Sequence, residues 1–159
     1  MRTYVAVATL YAHFDGKEGV LGALAQRAVA RNADALDAAL GRPGTAIERL
    51  EAVAQAYLAF HLANPSALRV LGAGDPRVRE DTDRALDALV RRVADVLAGG
   101  IEDGEIRPDV DPLRIARFVW GAWNGAIALH ARGAITRPEL KRTLDDGLAV
   151  LIAGLAPPA

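Results

Sequence analysis

An all-helical fold follows from three features of this 159-residue sequence. Apolar residues make up 52% of it, chiefly Ala with Leu and Val behind, while aromatics supply only 5%. Strands would call for more β-branched and aromatic side chains. Apolar positions recur at spacings of three and four, with no alternating segment. Helix start and stop signals punctuate the whole chain.

In chain order, Asp15-Gly16-Lys17-Glu18 offers a capping group with an acid three residues on, and Leu21, Leu24 and Ala28 follow at helical spacing. This helix should run to about Leu40 and stop at Gly41, with Pro43 beyond. Thr45-Ala46-Ile47-Glu48 is a capping box that opens a helix to about Ala63. Asn64-Pro65 closes it and starts a short helix ending near Gly72. Asp75-Pro76 supplies an N-cap with proline at the first helical position, where a missing N–H costs nothing. The long helix that follows carries Leu86, Leu89, Val93 and Leu97, and should fray at Gly99-Gly100 or Gly104. Asp111-Pro112 repeats the start signal for a helix to about Gly133, and Thr136-Arg137-Pro138-Glu139 opens the last one, which ends before Pro157-Pro158.

Charge narrows the function classes. The chain holds 19 basic and 20 acidic side chains, for a net charge of -1. Residues 1–40 are balanced too, with Arg2, Lys17, Arg27 and Arg31 set against Asp15, Glu18, Asp34 and Asp37. Nothing there makes the strongly basic face of a competent DNA-reading domain. Cysteine is absent, so disulfides and thiol chemistry are excluded. No signal peptide opens the chain, and no charge-free run reaches the ~18 residues a membrane span needs. A cytoplasmic protein with no membrane partner is the expectation.

At the N-terminus, the string from Val5 to Glu18 carries Val5, Thr9, Leu10, Tyr11, His13, Phe14, Lys17 and Glu18 at fixed spacing. It resembles the end of the helix-turn-helix of TetR-family transcription regulators. The resemblance implies a remnant DNA-reading domain and connecting helix over residues 1–41, and an effector-binding and dimerisation domain over 42–159. It implies operator-DNA contacts from Thr9, Tyr11, His13 and Lys17, with Lys17 on a phosphate at a helix N-terminus. His13 serves equally well as a packing residue at the turn. Leu10 and Phe14 would fill the small core beneath. Two departures stand out: Ala6 replaces a serine N-cap, at a cost of about 1 kcal/mol, and the two helices that pack on the recognition helix are not in this chain. Little specific operator affinity is therefore expected of it.

Towards the C-terminus, Gly104-Glu105-Ile106-Arg107-Pro108 resembles a loop of the same family, and Trp120-Gly121-Ala122-Trp123-Asn124-Gly125 resembles its Trp-x-x-x-His-Gly pattern, with Asn124 in place of His. Gly121 and Gly125 share one helical face, where missing side chains let another helix approach closely. The last helix aligns Leu140, Leu144, Leu148, Leu151 and Leu155, widened by Val150 and Ile152. Some of these leucines must be core. The resemblance implies a homodimer built on the last two helices, with Gly121, Gly125, Leu144, Leu148, Leu151 and Leu155 at its interface.

Tyr57, Phe60 and His61 on one helix and Trp120, Trp123, Asn124 and His130 on another are most of the large or polar-tipped residues in an Ala/Leu interior, and all but His130 are taken as ligand candidates. Apolar walls with a few polar groups suit a small-molecule site, although the same aromatics would serve as plain core. By resemblance the ligand is a small apolar or amphipathic effector, and no cofactor or metal is expected. The three histidines, His13, His61 and His130, lie at no ligand spacing, and HExxH, P-loop and GxSxG motifs are missing. Catalysis is not expected. Three functions stay open: a ligand-responsive, TetR-type repressor with an incomplete reading head, a dimeric small-molecule-binding protein with no DNA role, or, resting only on the apolar last helix, a helical scaffold for a protein partner.

Overall fold

A computed structural model describes residues 16–64 and 76–157. Those residues form five helices and no strand: α1 (Gly16–Leu40), α2 (Ala46–Ala63), α3 (Pro76–Glu102), α4 (Pro112–Ala131) and α5 (Arg137–Leu155). The recognition segment and the short helix expected after Asn64-Pro65 lie outside the described residues.

The caps form as the local sequence dictates. Thr45 accepts from the Glu48 N–H at 3.1 Å, and the Glu48 carboxylate accepts from the Thr45 N–H at 2.8 Å. Thr136 and Glu139 repeat the box at the start of α5, and Asp111 accepts from the Arg114 N–H at 3.0 Å to start α4. Each such cap contributes about 1 kcal/mol by satisfying amides that have no partner in the helix. Gly133, at φ +77, ends α4, with the Ala134 N–H returning to the Leu129 carbonyl.

Of the two ends the sequence leaves open for α3, Gly99-Gly100 or Gly104, the second is the one formed: α3 runs through both glycines to Glu102. Tertiary packing explains this: a Cβ on Gly100 would lie 2.6 Å from the Ala46 Cβ and 2.8 Å from Ile106 Cδ1. The glycine is a notch that admits the start of α2 and the buried Ile106. Gly104, at φ +76, then turns the chain, and the N–H groups of Glu105 and Ile106 both return to the Gly100 carbonyl.

α1 packs along α2 and α3, α4 lies on α3, and α5 closes on α4 and α2. Leu36, Leu50, Tyr57, Leu97, Ile127 and Leu140 anchor one continuous core. The loop 103–111 ties two helix ends together. The Glu105 carboxylate accepts from the Ala46 N–H at 2.6 Å, and the Arg107 N–H donates to the Leu155 carbonyl at 2.9 Å. The start of α2 and the end of α5 therefore meet at one loop, and these two helices run antiparallel. No helix among the described residues is long and apolar enough to cross a membrane.

Candidate functional site

α2 and α4 each present three of the singled-out residues in the same pattern. Tyr57, Phe60 and His61 sit at i, i+3 and i+4 of α2, and Trp120, Trp123 and Asn124 at i, i+3 and i+4 of α4. That spacing puts each trio on one helical face. The fold turns the two faces towards one another.

Tyr57 is the centre. Its ring is 1% exposed, edge-on to His61 at 4.4 Å and to Trp120 at 5.2 Å, and stacked on Trp123 at 5.7 Å. Phe60 lies edge-on to His61 at 5.2 Å. The Tyr57 hydroxyl donates to Asn124 Oδ1 at 2.9 Å, and the Asn124 amide donates to the Trp120 carbonyl at 2.8 Å, one turn back. One polar chain thus bridges α2 and α4 inside an aromatic shell, where a hydroxyl without a partner would cost about 1–3 kcal/mol.

Burial sets the protonation states. It pushes the Tyr57 phenol well above its ordinary range, so the hydroxyl stays a donor at any physiological pH. It lowers His61 to about 4, so the imidazole is neutral at pH 7 and offers one donor and one acceptor nitrogen. Neither nitrogen has a hydrogen-bond partner among the described residues. The phenol and the amide are thus engaged within the chain, and a group entering the shell would have to displace Tyr57 from Asn124. Among the described residues, no cluster of His, Cys, Asp or Glu could hold a metal ion. In the acidic loop, Glu105 binds the start of α2 and Asp109 pairs with Arg107.

The other singled-out residues fall elsewhere. Thr9, Tyr11 and His13 lie outside the described residues; Lys17 is in the first turn of α1, with its side chain also outside them. Gly121 and Gly125 face away from the body, and a Cβ on either would meet nothing within 4 Å. Leu144 and Leu155 are buried in the chain's own core, at 6% and 1% exposed, while Leu148 and Leu151 are half-buried. Two further large apolar residues are exposed: Phe118 on α4, at 70%, and Val150 on α5, at 74%. Phe118 is legible in the sequence only as the residue one turn before Gly121 on the same face. Asn32 on α1 carries no spacing signal; it is buried, and its Oδ1 has no hydrogen-bond partner among the described residues.

Residues 50–155 match the model of the family described as tetracyclin repressor-like, C-terminal domain. Three solved structures share the fold. A protein with unknown function from Rhodococcus sp. RHA1 is 26% identical, with a TM-score of 0.72 over 96% of this chain and 79% of that one. The TetR family transcriptional regulator PfmR from Thermus thermophilus is 23% identical, with a TM-score of 0.73 over 91% and 81%. SCO3833, a TetR transcriptional regulator family member from Streptomyces coelicolor A3, is 25% identical, with a TM-score of 0.66 over 95% and 77%. No curated protein gives a significant match. With the family model covering well over half of the chain and the same all-helical fold in those regulators, this chain belongs to the TetR family through its tetracyclin repressor-like C-terminal domain.

Proposed function

We propose that this chain is the effector-sensing and dimerising body of a ligand-responsive transcriptional repressor. Residues 42–159 do the sensing and dimerising, and residues 1–41 are the remnant of the DNA-reading domain with its connecting helix. The observation that carries the sensing role is the Tyr57–Asn124 bridge inside the aromatic shell of Trp120, Trp123, Phe60 and His61. A small apolar or amphipathic effector that inserts there trades packing with Tyr57 for its own and competes for the Asn124 amide. Because α2 and α4 meet through that bridge, displacing it changes their separation. In a complete reading head, Thr9, Tyr11, His13 and Lys17 contact operator DNA.

Dimerisation uses the outward face of α4 and α5. Gly121 and Gly125 leave room for a partner helix, Phe118 and Val150 supply exposed apolar surface, and Leu151 is half-buried on α5, whereas Leu148, expected at the same interface, lies on the side of α5 that faces α2. Leu144 and Leu155 back this face from within the core.

Both Trp residues of the chain lie in the shell, so their fluorescence reports on it directly. Screening small amphipathic compounds by Trp emission should find ligands whose affinity rises about tenfold in Tyr57→Phe, because the hydroxyl that competes for Asn124 is gone, on the scale of one buried hydrogen bond. Ligands that bind without changing Trp emission, and bind Tyr57→Phe equally well, would refute the site. Sedimentation tests the dimer: Gly125→Leu should weaken self-association by at least about tenfold through steric separation. An unchanged dissociation constant places the contact elsewhere.

A further inference from the structure

The outer face of α2, turned away from the aromatic shell, forms one wall of an open groove of about 1260 Å³ whose other wall is α5. None of the six residues of the interior cluster lines it. We propose that this groove is a second ligand site, for a long-chain aliphatic carboxylate. The proposal does not rest on the interior site.

The lining sets the chemistry. Leu58 and Leu62 from α2 and Leu144, Leu148 and Ile152 from α5 make an aliphatic floor, with alanines between them and no aromatic ring. Planar ligands gain from stacking on rings, which this lining lacks; a flexible aliphatic chain finds matching surface along it. The α5 wall from Arg137 to Ile152 is about 22 Å long at 1.5 Å per residue, so the groove is a trench rather than a compact cavity. Its volume exceeds the roughly 300–1,000 Å³ of an ordinary small-molecule site.

Charge sets the orientation. Because α2 and α5 are antiparallel, Arg137 and Lys141 lie at the end that Leu62 and Ala63 reach, and Glu51 lies towards the other. Lys141 is held by Asp145 at 2.5 Å. The nearby Glu139 carboxylate is engaged in the α5 cap, 2.7 Å from the Thr136 N–H. Arg137 has no ion pair among the described residues. A carboxylate head therefore goes to Arg137 at the N-terminus of α5, where the helix dipole also favours an anion, and its chain runs along the leucines away from Arg137.

The probes are cis-parinaric acid, which fluoresces in apolar surroundings, and its uncharged methyl ester. Arg137→Ala should weaken binding of the acid about fivefold, the scale of an exposed ion pair, and leave the ester unchanged. Ala59→Glu, at an exposed position lining the groove, should abolish binding of both while helical circular dichroism is retained. Tyr57→Phe should leave both affinities as they were. No binding to the unaltered protein, or acid binding that survives Ala59→Glu, overturns the proposal. So does a change in sedimentation in Ala59→Glu, which would assign the groove to a second copy of the chain. Tighter binding in Tyr57→Phe would place the probe in the interior, against this proposal and for the interior site.

Discussion

Adjacent glycines on α3 should respond to the same substitution with opposite sign. In an unobstructed helix, Gly→Ala stabilises by about 0.5–1 kcal/mol, because alanine loses less backbone entropy on folding. Gly99 meets that condition, since a Cβ there has nothing within 4 Å. At Gly100 the same gain is opposed by two contacts no real Cβ tolerates, 2.6 Å to the Ala46 Cβ and 2.8 Å to Ile106 Cδ1. The Ala46 methyl cannot rotate away, being fixed to the backbone of a capped helix start. Relief must come from moving α2 or Ile106, an overpacking cost of about 1–3 kcal/mol. Gly99→Ala should therefore gain about 0.5–1 kcal/mol and Gly100→Ala lose about 1–2, a gap of roughly 2 kcal/mol between neighbouring residues. Urea unfolding at one fixed protein concentration measures both and keeps any self-association constant. If Gly100→Ala matches or exceeds the parent in stability, the notch reasoning fails.

Acid should destabilise the fold through His61, whose pKa falls from 6.5 to about 4 on burial. Between those values the unfolded chain binds a proton that the folded chain refuses, so stability is full above pH 6.5 and declines as pH falls towards 4. Partial water access to the ring limits the loss to about 2 kcal/mol. His61→Phe should flatten the curve in that window, and an equally steep curve in the variant would assign the effect to other groups. Asn32→Leu should raise stability by about 1 kcal/mol, because it removes a buried carbonyl oxygen with no partner among the described residues and keeps a similar volume. A loss of stability in chemical unfolding would mean that oxygen is satisfied in solution.

What was legible in the sequence follows from the range of each interaction. The caps at Thr45, Asp111 and Thr136 depend on atoms within three residues, and each forms as read. The six candidate ligand residues were legible as two i, i+3, i+4 trios because helical spacing alone places them on common faces. The bond that joins the trios, Tyr57 to Asn124, spans 67 positions and has no local signature. Gly99-Gly100 shows the same limit. A glycine pair reads locally as a helix end, and only Ala46 and Ile106 filling the notch reveal why the helix continues. The leucine ladder of α5 was visible as an apolar stripe, but a spacing of three and four does not separate leucines covered by their own chain, such as Leu155, from those on an outer face. The groove between α2 and α5 depends on how far two helices splay, which no residue pattern records.

α4 joins the two proposed activities of this body. Its inner face carries Val119, Trp123 and Ile127 into the core, and its outer face carries Phe118, Gly121 and Gly125. Trp120 and Asn124 sit between these faces, half-buried, and Asn124 is covalently next to Gly125. At 100° per residue, any rotation of α4 that frees the Asn124 amide from Tyr57 also turns the Gly125 notch by the same angle. An effector that breaks the Tyr57–Asn124 bond therefore acts on the surface proposed to meet the partner, with no longer relay between them. By linkage, whatever factor such an effector imposes on dimer affinity, dimerisation must impose on effector affinity. A helix with a packed inner face and an outer face notched at two glycines suits that coupling, because a small rotation leaves the packed core in register while changing how closely a second helix can approach.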